Sequence, residues 1–166
     1  MTVLRPEDII SILGVKEEDI DCSGLKMTVG EVYRFTSRGR ILINSKELPE
    51  YKEVKPAPIN NRYYLELGVY LVRYREYVKI PEDCIGLVLP RSSLLRMGAT
   101  LHTAIWDPGY EGRGIGLLVV YNIHGIELER GAQIGQMILV KMTGSTRFLY
   151  RGIYYKEGRI SNQSHY

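Results

Sequence analysis

Apolar residues along most of this chain recur with a period of two, and that periodicity limits the possible folds more than any other feature. Leu65, Leu67, Val69 and Leu71 alternate through residues 64–72. Ile134, Gln136, Ile138 and Val140 mark a last strong strand, and Ile41 and Ile43 a shorter one. Alternation of this kind sends successive side chains to opposite faces of a pleated strand. Breakers recur at short intervals, among them Pro56-Ala57-Pro58, Asn60-Asn61, Pro108-Gly109, His124-Gly125 and Arg130-Gly131. Short strands between frequent turns predict an all-β domain, a barrel or a jelly-roll-like sandwich. A helical period is confined to the start. There Pro6 and two acids precede Ile9, Ile10, Ile12 and Leu13, and Gly14 follows, so a helix is expected over Pro6–Leu13. A further helical turn is expected at 16–20.

The length of 166 residues suits one domain that needs no staples. No apolar run approaches the roughly 20 residues of a membrane span. The start, Met1-Thr2-Val3-Leu4-Arg5-Pro6, lacks the features of a secretory signal, so a cytoplasmic location is the default expectation. Cys22 and Cys84 lie far apart, without metal-ligand spacing or a disulfide framework, and His102, His124 and His165 are isolated. The net charge of +3 is unevenly spread. Residues 1–24 hold six acids against Arg5 and Lys16, whereas residues 141–166 hold five Lys/Arg against Glu157 alone. A nucleic-acid polymer would demand a stronger basic signature. After Met142 the regular apolar face ends. Residues 1–142 therefore read as the domain with its N-terminal helix, and 143–166 as a C-terminal arm.

Two stretches carry chemistry. Arg91-Ser92-Ser93 follows the strand-like Ile85-Gly86-Leu87-Val88-Leu89, at a junction where backbone amides, hydroxyls and a guanidinium can meet phosphate. An N-cap at Ser92 or Ser93 is the plainer alternative. Asp107 stands between apolar Ala104-Ile105-Trp106 and Pro108-Gly109, where burial beside a turn can hold a carboxylate against a water. It can equally be only a turn residue.

The order of these segments is what raises them above their separate alternatives. Pro-Arg-Ser-Ser at 90–93 is followed by Ala-Ile-Trp-Asp-Pro-Gly-Tyr-x-Gly at 104–112 and Tyr121-Asn122. Then come Gly131-x-x-Ile134-Gly135-Gln136 and Tyr150-Arg151-Gly152-x-Tyr154. In this order the chain resembles the dUTPase and dCTP deaminase superfamily, most closely its archaeal-type dUTPase branch. The resemblance implies a β-clip type of distorted barrel and a homotrimer whose active sites are shared between subunits. It implies hydrolysis of dUTP to dUMP and pyrophosphate, with Mg2+ brought by the nucleotide and no metal held by the protein. By the same resemblance Asp107 is the general base, and Tyr110 packs on deoxyribose. Arg91, Ser92 and Ser93 bind phosphate with Gln136, Arg96 completes the Arg-Ser-Ser-x-x-Arg pattern, and Arg151 closes over the triphosphate.

Departures from the pattern are informative. The family's early Gly-Tyr-Asp-Leu-Arg reads here Gly24-Leu25-Lys26-Met27-Thr28, which puts Lys26 at its aspartate. Gln133 stands where the family has a cation, and 113–116 hold two extra residues. Cytosine-deaminating members carry a glutamate three residues before the asparagine position. That position is Val119, and residues 117–123 contain no acid. A dUTP diphosphatase is expected, with a dCTP deaminase, or a binding module that has lost turnover, as alternatives.

Overall fold

A computed structural model describes residues 2–158. In chain order the elements are β1 (Thr2–Val3), α1 (Pro6–Leu13), a 3-10 turn (Glu17–Asp19), β2 (Ile20–Asp21), β3 (Gly24–Phe35), β4 (Arg40–Ile41) and β5 (Lys46–Glu47). There follow β6 (Tyr51–Val54), β7 (Arg62–Leu65), β8 (Gly68–Tyr74), β9 (Val78–Lys79), β10 (Cys84–Pro90) and α2 (Ser92–Arg96). The last are β11 (Ala99–His102), β12 (Glu111–Gly112), β13 (Ile115–Val120), β14 (Ile126–Glu129) and β15 (Gln133–Lys141).

The expected all-β body is present, as a strongly curled sheet with the short N-terminal helix attached. α1 begins at Pro6, with Glu7 and Asp8 in its first turn. It ends where Gly14 takes the left-handed conformation, φ +65°, and donates its amide to the Ile10 carbonyl. Ile9 carries its buried face against β3.

β3 organises the sheet because it pairs in two directions. Its first half lies against β15 and β2. Its second half lies against β8 and β6, and β8 continues to β13 and β11. The register shifts between Val29 and Glu31, and Gly30 sits in the shift. A Cβ there would lie 2.8 Å from the Arg73 carbonyl oxygen, so only glycine permits the approach. The bend is tied by the buried Tyr63 hydroxyl, which donates to the Gly30 carbonyl at 2.8 Å. It is tied again by the Glu31 carboxylate, 2.7 Å from Arg113 and 3.0 Å from Arg130.

Two of the alternating runs change phase. The run through 64–72 is two strands. Leu65 is buried in β7, but across Gly68 the buried residues become Tyr70, Val72 and Tyr74, while Leu67 and Val69 are exposed. In β15 the register slips between Gln133 and Gly135, so Met137 and Leu139 face the core while Gln136 and Ile138 are only half-buried. A single inserted or reoriented residue turns every later side chain to the other face. Ile41 and Ile43 are exposed, on the small β4–β5 hairpin.

Of the arm expected at 143–166, residues 143–158 are described and form no strand or helix. Residues 159–166, with His165, lie outside the described residues.

Tyr63 and Tyr74 are both fully buried, yet the Tyr74 hydroxyl has no hydrogen-bond partner among the described residues. Tyr63→Phe should cost about 1 kcal/mol, a fall in Tm of about 2–4 °C, by orphaning the Gly30 carbonyl. Tyr74→Phe should leave Tm unchanged or raise it, and thermal melts of the two variants make the comparison. Equal losses would refute this reading of the bend.

Candidate active site

The turn bearing Asp107 is built from both ends. Trp106 bridges Gly86 of β10, with both backbone hydrogen bonds at 2.9 Å, and its indole ring packs against Gly114. Pro108 and Gly109 (φ +76°) then reverse the chain, and the Tyr110 amide returns to the Asp107 carbonyl at 3.0 Å. The Gly109 amide and the Tyr110 carbonyl are taken up by Ile80. Most of the turn's backbone groups are thus engaged while the Asp107 side chain stays exposed.

Asp107 borders a cavity of about 520 Å³ whose walls are largely aromatic and aliphatic, with Trp106, Tyr110, Ile115, Tyr150 and Tyr154 among them and Lys46 and Glu157 as further charged groups. The arm roofs this cavity. The Tyr150 amide donates to the Pro108 carbonyl at 2.9 Å, Lys156 to Glu111 at 2.7 Å, and Arg113 to the Glu157 carbonyl at 2.9 Å. Leu149 covers Gly109. Tyr110 is buried edge-on between Trp106 and Tyr150, and its hydroxyl donates to the Glu157 carboxylate at 2.9 Å. Burial, and then Glu157, raise the Tyr110 pKa above its ordinary value. Burial likewise raises that of Glu157, with Arg73 and the Tyr110 bond opposing. Because burial penalises the charged carboxylate, net docking weakens as pH rises through the elevated value, and the Tyr110 and Arg73 contacts offset part of that cost.

The phosphate-motif residues form a second group. Arg91 is the N-cap of α2 in extended conformation, no side chain caps the helix, and Ser92, Ser93 and Arg96 are exposed on the helix. The Arg91 guanidinium lies 2.8 Å from the Asp21 carboxylate and donates to the Gln133 side-chain carbonyl. Gln136, with its side-chain oxygen toward the β2–β3 turn, accepts from the Ser23 and Gly24 amides at 3.0 and 3.1 Å. Lys26, at the departure from the early motif, donates to the Glu18 carbonyl at 2.7 Å.

The two groups occupy opposite ends of the β10–β15 ribbon. Pro90 pairs with Gly135 and Leu89 with Gln136 at one end, while Cys84 pairs with Lys141 at the other, where Thr146 of the arm meets Glu82. Trp106 is anchored at Gly86. Arg91 lies five steps along the extended strand from Gly86, roughly 16 Å of backbone. Arg151, exposed on the arm, donates to the Tyr150 carbonyl. One chain therefore brings Asp107, Tyr110 and the arm together, and separately Arg91, Ser92, Ser93, Arg96 and Gln136. Asp21 and Glu157 escaped the sequence reading. Glu157 had a signal, as the one acid in a basic segment, whereas Asp21 lay among six acids with nothing to single it out.

Comparison with known proteins agrees with this architecture. The sequence model of the dCTP deaminase-like family matches residues 4–142, and the chain belongs to that family. A relative from Aeropyrum pernix, named probable deoxyuridine 5'-triphosphate nucleotidohydrolase, is 40% identical over 142 residues, covering 84% of this chain and 86% of the relative. The Methanocaldococcus jannaschii deoxyuridine 5'-triphosphate nucleotidohydrolase is 38% identical over 142 residues, covering 84% and 89%. A probable one from Archaeoglobus fulgidus is 38% identical over 154 residues, covering 92% and 89%. Among solved structures, 2'-deoxycytidine 5'-triphosphate deaminase from Agrobacterium tumefaciens matches with a TM-score of 0.65 at 14% identity, over 86% of this chain. The match spans only 49% of that longer chain, and it speaks to the fold alone.

The roof makes a separable prediction. Trypsin should cut after Arg151 several-fold faster in Glu157→Ala than in the wild type, while Glu157→Gln, whose amide oxygen still accepts from Tyr110, should cut no faster. Equal protection in Glu157→Ala would show that the carboxylate does not hold the arm.

Proposed function

We propose that this chain is a dUTP diphosphatase, hydrolysing dUTP to dUMP and pyrophosphate. The observation that carries the reading is Asp107 on the border of the aromatic cavity, in a chain whose relatives, 35–40% identical, are named for that hydrolysis. The apolar cavity takes the nucleoside, with Tyr110 against the sugar. The Asp107 carboxylate takes a proton from a water whose oxygen attacks the α-phosphorus. The bond from that phosphorus to the bridging oxygen breaks, and pyrophosphate leaves. Arg91, Ser92, Ser93 and Gln136 neutralise and orient the phosphates, with Arg96 alongside, and Arg151 approaches from the arm. Among the described residues no cluster of three or more His, Cys, Asp or Glu could hold a metal. Mg2+ enters as part of the nucleotide substrate.

Attack geometry requires base, water and phosphorus within a few ångströms. The separation of Asp107 from Arg91 supports a site completed between copies, for which a homotrimer is the expected assembly.

Deamination needs an acid able to shuttle protons at the pyrimidine ring, and β13 offers Val119 instead. The cavity's other carboxylate, Glu157, is engaged by Tyr110. Purified protein should release pyrophosphate from dUTP and no ammonia from dCTP. Asp107→Asn should bind nucleotide within a few-fold of the wild type and turn over at least ~100-fold more slowly. Ammonia from dCTP, or near-normal turnover in Asp107→Asn, would overturn the assignment.

A further inference from the structure

Asp21 sits at the heart of the phosphate-end group, yet the reaction as proposed gives it nothing to do. Its carboxylate is held on three sides. The Cys22 amide donates to Oδ1 at 2.8 Å, the Gln133 amide nitrogen donates to Oδ2 at 3.2 Å, and the Arg91 guanidinium lies 2.8 Å from Oδ2. Gln133 also accepts from Arg91 through its carbonyl, so one neutral amide bridges acid and base. The segment carrying Asp21 is itself pinned, because Asp21 pairs with Gly24 across the turn and Gln136 takes the Ser23 and Gly24 amides. Lys26, which could have joined the cluster, is engaged by the Glu18 carbonyl.

Carboxylate and phosphate oxygens address a guanidinium alike, by charge-assisted hydrogen bonds to the same N–H groups. The side chains of Asp21 and Arg91 are 23% and 37% exposed, so the pair is screened and of modest strength, open to exchange with a ligand from solvent. The Cys22 amide and Gln133, and then Arg91, hold the Asp21 carboxyl below the usual carboxylate range. The charge is therefore present throughout neutral pH.

We propose that Asp21 is an internal counter-ion of Arg91, one that competes with phosphate for the guanidinium and so limits how tightly substrate and product phosphates are held. This rests on the reading of Arg91 as a phosphate-binding residue. A phosphate reaching Arg91 must take the place of the carboxylate, and the carboxylate returns as the phosphate departs. The competition weakens binding and speeds release of the pyrophosphate product. Gln133 suits this role because a neutral amide keeps hold of both partners and leaves Arg91 as the charge that carboxylate and phosphate compete for, whereas a cation at 133 would add a second charge for the phosphate and relieve the competition.

Calorimetric titration of inorganic pyrophosphate into the wild type, Asp21→Asn, Asp21→Ser, Asp21→Glu and Arg91→Ala tests this, with and without Mg2+. Both neutral variants should bind pyrophosphate about three- to tenfold more tightly than the wild type, the scale of losing one partly exposed competing charge. Asp21→Glu should stay near the wild type. Unchanged or weaker binding in the neutral variants overturns the proposal, and so does weakening confined to Mg2+-containing buffer, which would make Asp21 a partner of the nucleotide-borne cation. Wild-type affinity in Arg91→Ala would instead overturn the phosphate-binding reading of Arg91, and this inference with it.

Discussion

One strand, β3, hydrogen-bonds in two directions, and the other elements take their places from the bend at Gly30 that allows it. The bend needs a residue without a side chain, since the Arg73 carbonyl leaves no room for a Cβ. It also needs ties, because a register shift leaves backbone groups that the ladder does not satisfy. Tyr63 provides one tie through the Gly30 carbonyl, and Glu31 provides the other by gripping Arg113 and Arg130. Arg113 is the link to function. Its Nε donates to the Tyr74 carbonyl at 2.9 Å, and its amide holds the arm at Glu157. The same bend that curls the sheet thus fixes the chain just after the Asp107 turn.

The β10–β15 ribbon then sets where the chemistry can occur. It is the best-paired ribbon near the site, in register from Cys84 through Pro90, and it holds its two ends apart. Asp107 and the arm belong to one end, Arg91 and Gln136 to the other. In the proposed enzyme, a rigid ribbon that separates base from phosphate clamp makes assembly part of the catalytic mechanism, because positioning across copies must supply the proximity that a single chain lacks.

Much of this was legible in the sequence where a local rule acts alone. The helix over Pro6–Leu13 follows from Pro6, the two acids and Gly14. The Asp107 turn follows from Pro108-Gly109, and the strand-to-helix junction at Arg91 from the apolar run before it. The faces of β8 and β15 were not legible, because a glycine at 68 and a bulge after Gln133 invert the alternation, and neither changes the composition of the run. Asp21 could not be found by pattern, since its importance comes from the pairing of β2 with β3 and the placement of Gln133 beside it. The arm's basic character was visible, but its docking was not. That depends on Tyr110 and Glu157 meeting across a sequence separation of 47.

The most direct test of a site completed between copies is complementation of two inactive chains. Arg91→Ala and Asp107→Asn should each be nearly inactive alone. When the two are co-expressed in equal amounts and assemble at random as trimers, a site that takes Arg91 from one copy and Asp107 from its neighbour is intact in roughly a quarter of cases. The mixed preparation should therefore recover roughly a quarter of the wild-type rate of pyrophosphate release. A mixture that stays as inactive as its components, in oligomers shown by mass to contain both chains, would contradict the shared site and require Arg91 and Asp107 to act from the same copy.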